Sequence, residues 1–315
     1  MKRVVITGGA GFIGSHLVKR FIERQDEVHV IDNLSTGSKE RLHPEAKLHV
    51  LDIRSAEARE RITEIQPSLM VHLAAQADVQ RSVLDPAFDL DVNVGGTLNM
   101  LFACREAKVG KLIFTSTSGV YGETDQELLL ESAPVKPISF YGLSKLTAEY
   151  YIALFNSLFG LPYTILRLAN VYGPEQTAKG EGGVIAIFMD KLKQGLPLTV
   201  NGDGEQTRDF IYVEDVVSAI ISAGSDELRD VIHASTAKRT SLNDLIKLLG
   251  QLHPEPIQVT HRAAKPGDIR HSCLSNSRAS QLLHWQPSHT LLQGLEETYR
   301  YVMSSPPFNP PVTEK

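Results

Sequence analysis

The chain has 315 residues, of which 42% are hydrophobic and 22% charged, so it can bury a full core and exceeds one average domain. Its 32 lysine and arginine residues against 37 aspartate and glutamate residues give a formal net charge of −5. Because no run of like charge interrupts this balance, the sequence excludes a nucleic-acid or anionic-membrane footprint, and we expect neither as a partner.

Cysteine content and apolar run lengths narrow the class further. Cys104 and Cys273 lie far apart in sequence, so they form no disulfide framework, and neither has a second ligand at metal-site spacing. Only Val4, Val5 and Ile6 are apolar before Thr7, which is too short for the apolar core of a signal peptide. No other stretch approaches about 18 apolar residues. We expect a cytoplasmic protein without a metal.

Short β-rich runs alternate with helical patterns in the first half of the chain. The helical segments FIGSHLVKRFIER and NVGGTLNMLFACREA carry apolar residues at spacings of three and four. Continuous apolar strands between such helices are typical of a parallel sheet covered on both faces. The sequence predicts an α/β fold with a doubly wound parallel sheet of Rossmann type, its strands near 4–7, 28–31, 48–53, 69–74, 112–116 and 163–168.

The texture of the chain changes after residue 170. A polar, glycine-rich stretch is followed by the helical segment VIAIFMDKLKQG and the loop NGDGEQTRD, whereas VIHAS at 231–235 is a strand that can return to the first sheet. We therefore predict a large domain of residues 1–170, with about 209–235 returning to it, and a second, smaller mixed α/β domain of residues 171–208 and 236–315.

A glycine-rich turn follows the first strand. Gly8, Gly11 and Gly14 lie at the exit of this strand and the start of the first helix, where small residues let the backbone approach a pyrophosphate at the helix amino terminus. Asp32 closes the second strand, where a carboxylate accepts both ribose hydroxyls and repels a 2′-phosphate. The pattern predicts NAD rather than NADP. A turn cap in DNLSTG is the alternative for Asp32, and Asp52 after the third strand is either an adenine contact or an exposed strand-end carboxylate.

A tyrosine and a lysine share one face of a predicted helix. Ser139 is its expected cap and Gly160 its expected end, and Tyr141 and Lys145 stand four residues apart. A fixed ammonium beside a tyrosine favours the phenolate, whose ordinary pKa is about 10. The strand of KLIFTSTSGVYG ends in hydroxyls, and the carboxyl ends of such strands face the cofactor. These features predict an acid/base pair beside a hydroxyl that holds a substrate oxygen.

The chain then resembles the NAD-dependent epimerase/dehydratase family of extended short-chain dehydrogenases/reductases, most closely enzymes like UDP-glucose 4-epimerase. The resemblance runs nearly end to end and rests on these segments in this order: TGGAGFIGSH, DNLSTG, LAAQADVQRSV, NVGGT, FTSTSGVYG, YGLSK, RLANVYGP, RDFIYVEDV, KPGDIRHS and LHWQPSHTLLQGLEET.

The resemblance implies a catalytic centre, an NAD site in the large domain and a sugar-nucleotide site in the small one. The catalytic residues are Tyr141, Lys145 and Thr117. The cofactor residues are Gly8, Gly11, Phe12, Ile13, Gly14, Asp32, Asn33, Asp52, Ile53, Leu73, Ala74, Ala75, Asn93, Ser116, Tyr141 and Lys145. The substrate residues are Thr117, Asn170, Val184, Arg208, Lys265, Asp268 and Ser272.

Some of the substrate residues have structural alternatives. Asn170 can satisfy a loop backbone, Arg208 can form an exposed salt bridge with Asp203 or Asp209, and Asp268 is also an ordinary turn residue. Lys265 stands where the family often has arginine. A lysine ammonium would contact the diphosphate as a single point charge, whereas an arginine guanidinium would form bidentate hydrogen bonds to it.

The implied reaction is epimerisation at C4 of a nucleotide sugar through a transient 4-keto intermediate. A 4,6-dehydratase or decarboxylase of the family has an acid where this chain has Gly119, so dehydration lacks its proton donor. A sugar dehydrogenase or reductase with exchanging cofactor stays open. A non-catalytic NAD sensor or scaffold typically lacks the tyrosine and lysine pair.

Substrate choice follows from three positions. Glucuronate-type relatives have threonine and arginine where this chain has Asn170 and Thr177, which favours a neutral UDP-hexose such as UDP-glucose or UDP-galactose. Ser272 leaves room for an N-acetyl group at C2, so N-acetylhexosamine forms are expected as well.

The helix that begins near Tyr141 also predicts a partner. Its apolar residues cover well over half of its circumference, whereas a surface helix needs a stripe of about 100°. We expect a homodimer, also the habit of the family. Burial beneath the small domain is the alternative.

Overall fold

The computed structural model describes residues 1–178, 182–225, 228–264 and 269–304. Within these ranges, seven strands form one parallel sheet in the order β11-β6-β5-β4-β1-β2-β3. The strands of this sheet are β1 Arg3–Thr7, β2 Glu27–Asp32, β3 Lys47–Val50, β4 Leu69–His72, β5 Lys111–Thr117, β6 Tyr163–Leu168 and β11 Asp230–Ala234. The parallel sheet confirms the predicted fold class.

Helices cover both faces of the sheet. Successive residues of β1 alternate between the two faces: Val4 and Ile6 pack in one core, and Val5 packs in the other. The first core lies under α1 Phe12–Glu23 and α8 Val213–Ser225, and the second lies under α2 Ala56–Ile65, α5 Gly96–Glu106 and α6 Phe140–Phe159. Because both faces of the central strands are buried, these strands carry mostly apolar side chains, which explains the apolar runs seen in the sequence.

A third core lies outside the main sheet. Phe188, Leu245 and Leu295 lie at its centre, on α7 Val184–Lys193, α9 Leu242–Leu252 and α11 Leu291–Ser304. Short strand pairs join the elements around it: β7 Asn170–Tyr172 with β10 Phe210–Tyr212, β8 Leu198–Asn201 with β13 Val259–Arg262, and β9 Thr207–Arg208 with β12 Thr240–Ser241. The chain thus leaves the main sheet after β6 and re-enters it at β11.

The remaining helices are short or peripheral. They are α3 Val79–Leu84, α4 Pro86–Leu90 and α10 Ser277–Leu283, with a π-helical turn at Asp91–Gly95 before α5. None of the helices in the described ranges is long and apolar enough to cross a lipid bilayer. No cluster of three metal-ligating side chains is found there either.

Helix α6 begins and ends where its capping residues predict. The Ser139 hydroxyl accepts a hydrogen bond from the Gly142 amide at 3.1 Å, and Gly160 adopts a φ of 72° at the carboxyl end. The cap places Tyr141 in the first turn of the helix, directly beside the carboxyl end of β5.

Two strands are shorter than the sequence suggests. The runs expected at 48–53 and 69–74 end at Val50 and His72. After Val50 the Asp52 carboxylate accepts a hydrogen bond from the Arg54 amide at 2.9 Å, so the chain turns toward α2. The Ala74 amide still bonds to Thr7 at 3.1 Å, although pairing of the two strands as a ladder has ended. The apolar runs therefore continue past the ladder into the loops at the carboxyl edge.

Candidate active site

A cavity of about 270 Å³ opens at the carboxyl ends of β5 and β6. It lies where the first core meets the third, at the edge of the sheet at which ligands bind in open α/β folds. Seven of the predicted site residues line it: Phe12, Ile13, Ser116, Thr117, Tyr141, Asn170 and Val184. The structure therefore brings together the hydroxyl strand, the catalytic helix and the first turn of α1.

Thr117 and Tyr141 share one wall of the cavity. Both side chains are half-buried, and the Thr117 hydroxyl accepts a hydrogen bond from the Gly119 amide at 3.0 Å. This bond orients the hydroxyl and leaves its proton available to a substrate oxygen. The wall thus combines the Tyr141 phenol, which can exchange a proton, with the Thr117 hydroxyl, which can bind the same substrate oxygen.

Asn170 lies on the opposite side, at the start of β7. Its backbone amide donates to the Asp209 carbonyl at 2.9 Å, while its half-buried side chain faces the cavity. Within the described part of the chain, no hydrogen bond of this side-chain amide to protein is found. Further cavity residues, among them Tyr172, Gln176 and Phe210, were missed from the sequence, although Gln176 lies in the stretch VYGPEQ.

Lys145 lies beneath the cavity rather than in its wall. Its side chain is 3% exposed, and its ammonium nitrogen lies 4.0 Å from the centroid of the Phe114 ring. Burial lowers the pKa of Lys145 to about 7, although the Glu149 and Asp89 carboxylates oppose this shift. The ammonium is thus held in a dry site, where its field acts strongly on neighbouring groups.

Asn93 holds the floor of the site together. Its amide group donates to the Ser144 hydroxyl at 3.0 Å and to the Gln76 carbonyl at 3.0 Å, and its oxygen accepts from the Gln76 amide at 2.8 Å. The π-helical turn places Asn93 against α6, and Ser144 donates in turn to the Tyr141 carbonyl. The structure gives Asn93 a positioning role beside the predicted cofactor site.

The glycine turn fits a dinucleotide. Gly8 has a φ of 70° and a side chain there would meet the Ala74 amide at 2.7 Å, while a side chain at Gly14 would meet the Gly8 carbonyl at 2.2 Å. A side chain at Gly11 would meet only that same carbonyl, at 3.2 Å. The turn therefore has space for a phosphate beside Gly11, where the first amides of α1 have no partner within the helix.

Asp32 and Asp52 both lie at strand ends and both are engaged. The Asp32 carboxylate accepts hydrogen bonds from the Ala10 amide at 2.9 Å and the Leu34 amide at 2.8 Å, so it caps the turn as its alternative assignment supposes. A carboxylate has about four acceptor positions, so these bonds leave room for a ribose. Asp52 forms an ion pair with Arg54 at 2.8 Å, which lowers its pKa. Its other partner is the Asn33 amide, at 2.9 Å.

The other predicted cofactor residues lie at the same edge of the sheet. Leu73, Ala74 and Ala75 follow β4 and are half-buried, and Ile53 is buried after β3. This places them beyond the carboxyl ends of their strands, where the adenosine half of a dinucleotide lies in such folds.

The predicted nucleotide end is described only in part. Arg208 is half-buried on β9, and its guanidinium donates to the Thr207 carbonyl at 2.9 Å. Ser272 is buried and its amide donates to the Thr207 carbonyl at 3.2 Å. Asp203 pairs with Arg270 at 2.9 Å. Lys265 and Asp268 lie outside the described residues.

Ser116 differs from its neighbour Thr117. Its hydroxyl donates to the Glu149 carboxylate below the cavity, because successive residues of a strand point to opposite faces. Glu149 and its partner Arg167 were not among the predicted site residues. A signal for both was present: Glu149 stands four residues beyond Lys145, and Arg167 interrupts the apolar run YTILRL.

Solved structures of known enzymes share the fold and much of the sequence. UDP-glucose 4-epimerase of Thermotoga maritima with UDP-glucose is 40% identical, with a TM-score of 0.91, over 95% of this chain and 98% of that one. UDP-glucose 4-epimerase of Thermus thermophilus in complex with NAD is 37% identical, with a TM-score of 0.91, over 96% and 99% of the two chains.

An enzyme named for an N-acetylated substrate is also similar. UDP-N-acetylglucosamine 4-epimerase of Methanobrevibacter ruminantium, in complex with UDP-N-acetylmuramic acid, is 34% identical with a TM-score of 0.92, over 96% of this chain and 98% of that one. Residues 4–232 match the model of the NAD-dependent epimerase/dehydratase family, and the chain therefore belongs to this family.

Proposed function

We propose that the protein interconverts the C4 epimers of a UDP-hexose, UDP-glucose and UDP-galactose foremost, with NAD as its cofactor. The observation that carries this proposal is the single cavity wall on which Thr117 and Tyr141 meet, with buried Lys145 beneath it. Epimerases of this sequence similarity and fold bind NAD and UDP-glucose.

Each residue of the site has a defined task. Tyr141 takes the proton of the C4 hydroxyl while Thr117 donates a hydrogen bond to the same oxygen. The glycine turn and Asp32 would hold NAD, which would supply reversible hydride transfer at C4 when bound. The 4-keto sugar turns in the cavity so that C4 presents its other face for reduction, and Tyr141 returns the proton to the same C4 oxygen. Lys145 stabilises the phenolate throughout, because its ammonium lies one helical turn away.

Gly119 favours epimerisation over dehydration. A side chain at this position would meet the Thr117 hydroxyl at 3.4 Å, an ordinary van der Waals contact. The backbone therefore tolerates a Cβ atom at position 119, and the absence of an acidic residue there removes the acid that elimination of water requires. The 4-keto intermediate is then left to be reduced again.

The substrate is a neutral hexose or its N-acetylated form. Asn170 supports a neutral sugar, because it faces the cavity with an uncharged amide. Ser272 supports the N-acetylated form, because a bulky residue at this position would restrict the space beside C2 of the sugar. The similar epimerase named for UDP-N-acetylglucosamine fits this wider range. Activity on UDP-N-acetylglucosamine is expected, and complete inactivity at high enzyme concentration would contradict it.

The two predicted units divide the substrate-binding work. We assign residues 1–170 and about 209–235 to NAD and residues 171–208 and 236–315 to the sugar nucleotide. Val184, Arg208, Lys265, Asp268 and Ser272 of the second unit bind the sugar nucleotide together with Asn170, the last residue of the first segment. The cytoplasmic location remains a prediction that cell fractionation tests, and the two free, buried cysteines suit a reducing compartment.

We also propose that the protein forms a homodimer. Of the apolar residues on α6, Tyr150, Tyr151, Leu154, Leu158 and Phe159 are exposed, so the small domain does not cover them. Leu146, Ile152 and Phe155 are buried on the other side of the helix. A second copy of the chain packed along α6 would bury the exposed set.

The deciding experiment incubates the purified protein with UDP-, dTDP- and GDP-sugars without added NAD and separates the products. We expect interconversion of UDP-glucose and UDP-galactose, and a loss of about 10²- to 10⁴-fold on Tyr141→Phe. Tyr150→Phe, on the exposed face of the same helix, is the matched control and retains the rate. Catalytic formation of a 4-keto-6-deoxy sugar would instead indicate a dehydratase, and one equivalent of oxidised sugar with release of NADH would indicate a dehydrogenase.

A further inference from the structure

A buried carboxylate lies one helical turn beyond the catalytic lysine. Glu149 is 4% exposed and stands four residues after Lys145 on α6, so both side chains lie on the same face of the helix. Its carboxylate accepts two hydrogen bonds from the Arg167 guanidinium, at 2.6 Å and 3.1 Å, and a third from the Ser116 hydroxyl. Glu149 therefore joins the catalytic helix to both β5 and β6.

The network continues away from the cavity. Arg167 also donates to the Tyr121 hydroxyl at 2.7 Å, and that hydroxyl lies 2.6 Å from the His233 ring. The Nδ1–H group of His233 donates a hydrogen bond to the Ser275 carbonyl at 3.0 Å. The Nε2 atom, which faces Tyr121, therefore accepts a hydrogen bond from the Tyr121 hydroxyl. Every residue of this hydrogen-bond network is buried.

A buried ion pair adds little to the free energy of unfolding, because desolvation of the two charges offsets most of their attraction. The position of the pair suggests another use. Among the described residues, the titratable and charged groups around Lys145 are Tyr141 and Glu149 on its own helix, Asp89 on α4 and His72 on β4, with Arg167 behind Glu149.

The charge balance around Lys145 depends on its carboxylates. His72 is buried and neutral, because burial lowers its pKa to about 3, so it adds no positive charge beside Lys145. Asp89 shares one oxygen with Gln76 and Asn93, at 2.9 Å and 3.2 Å. Glu149 and Asp89 are thus the two anions that offset the desolvation of the Lys145 ammonium.

On the basis of the proposed function, we propose that Glu149 is a positioning residue of the reaction. Its carboxylate keeps Lys145 in the charged form that supports the Tyr141 phenolate, and it anchors β5 through Ser116 so that Thr117 faces the cavity. Glu149 touches neither the substrate nor the cofactor in this account. It acts through Lys145 and through the strand.

Glu149→Gln separates these two roles, because it removes the charge and keeps an oxygen that can accept from Ser116. With less negative potential nearby, the ammonium loses its proton at lower pH. We expect the basic limb of the pH profile of kcat to move down by about one pH unit, which is a tenfold change in the protonated fraction. A merely structural role would lower kcat without moving this limb.

The Lys145 proton can be followed without any turnover. Carbon-13 NMR of the lysine Cε resonances, with Lys145 assigned as the signal missing from Lys145→Arg, reports its titration directly in the folded protein. This readout stands even when no sugar nucleotide is epimerised, so failure of this inference is distinguishable from failure of the proposed reaction. We expect a midpoint about one pH unit lower in Glu149→Gln.

Three further variants are controls for the Glu149→Gln experiment. Glu149→Gln leaves Arg167 buried without its partner, so Glu149→Gln/Arg167→Met, in which both charges are absent, is made in parallel and should move the midpoint in the same direction. Glu106→Gln, at an exposed carboxylate paired with Arg59, should leave the midpoint and the rate as in the wild type. Tyr121→Phe removes a hydrogen bond of the network without a charge and should leave the midpoint in place.

The outcomes decide the proposal. A lower Lys145 midpoint in both Glu149 variants, with Glu106→Gln and Tyr121→Phe unchanged, supports it. An unchanged midpoint in a folded Glu149 variant overturns it, whatever happens to the rate. A shift of equal size in Tyr121→Phe would also overturn it, because the effect would then follow loss of packing rather than loss of charge.

Discussion

The side-chain amide of Asn93 donates a hydrogen bond to the Ser144 hydroxyl across 3.0 Å. This bond connects the π-helical turn before α5 to the start of α6. The Ser144 hydroxyl in turn donates a hydrogen bond to the Tyr141 carbonyl at 3.0 Å. The position of Tyr141, the proposed catalytic tyrosine, thus depends on a residue nearly fifty positions earlier in the chain.

Asn93→Ala should therefore cost both stability and rate. The change leaves the buried Gln76 backbone amide without its acceptor and removes one of the two hydrogen bonds to the Asp89 carboxylate. We expect the free energy of unfolding to fall by about 2 kcal/mol. kcat should fall as well, because the start of α6 is less well fixed. Urea unfolding and steady-state kinetics measure the two effects. Asn156→Ala, which removes a bond near the far end of α6, should lower stability and leave kcat unchanged.

Replacement of the third glycine of the cofactor turn should abolish NAD binding. The Cβ atom of Gly14→Ala would lie 2.2 Å from the Gly8 carbonyl oxygen, so α1 must move away from the turn. We expect the purified variant to lack bound NAD and to unfold more readily. Gly250→Ala is the matched control, because no atom lies within 4 Å of its Cβ position in α9. It should stabilise the protein by up to about 1 kcal/mol, and both variants are compared by NAD content and urea unfolding.

A buried histidine makes the fold sensitive to acid. Burial lowers the pKa of His233 to about 3 from an ordinary 6.5. Because the unfolded chain binds this proton at higher pH than the folded chain does, the stabilising contribution is complete above about pH 6.5 and is lost as the pH falls toward about 3. His72 acts in the same direction, since burial lowers its pKa to about 3 as well.

His233→Gln should reduce this sensitivity while keeping a donor and an acceptor for Ser275 and Tyr121. Relative to the variant, the wild type should lose about 2 kcal/mol of unfolding free energy between about pH 6.5 and about pH 5. Asp209, whose pKa burial raises to about 6, contributes with the opposite sign in both proteins and cancels in the comparison. The same change at exposed His261 should have no effect, and equal pH slopes for wild type and His233→Gln would refute the assignment.

The exposed apolar face of α6 should hold the homodimer together. Leu154 and Leu158 are 52% and 64% exposed and lie four residues apart, on one side of the helix. We expect Leu154→Lys/Leu158→Lys to sediment as a monomer where the wild type sediments as a dimer, since burial of two ammonium groups opposes association. Leu196→Lys, at a similarly exposed leucine away from α6, should leave the dimer intact. A wild type that is monomeric at every concentration would exclude the interface.

Local patterns in the sequence determined the sheet and the position of its ligand edge. Apolar runs predict buried parallel strands, the three glycines predict a turn against a helix amino terminus, and the spacing of Tyr141 and Lys145 predicts one shared helix face. Each of these features depends on residues close together in the chain, where periodicity and backbone sterics act directly. The length of β3 was wrong, because apolar character continues into the loop after the ladder has ended.

Only the tertiary structure decided which of the neighbouring hydroxyls faces the cavity. Both residues line it beside Tyr141, but the Ser116 hydroxyl donates to Glu149 whereas the Thr117 hydroxyl accepts from the Gly119 amide. This difference depends on how β5 lies between β6 and α6. The ion pair of Glu149 with Arg167, the burial of Lys145 and the exposure of one side of α6 have the same origin. Each arises from contacts between segments distant in sequence, and the fold alone determines which side chains leave water and which remain in it.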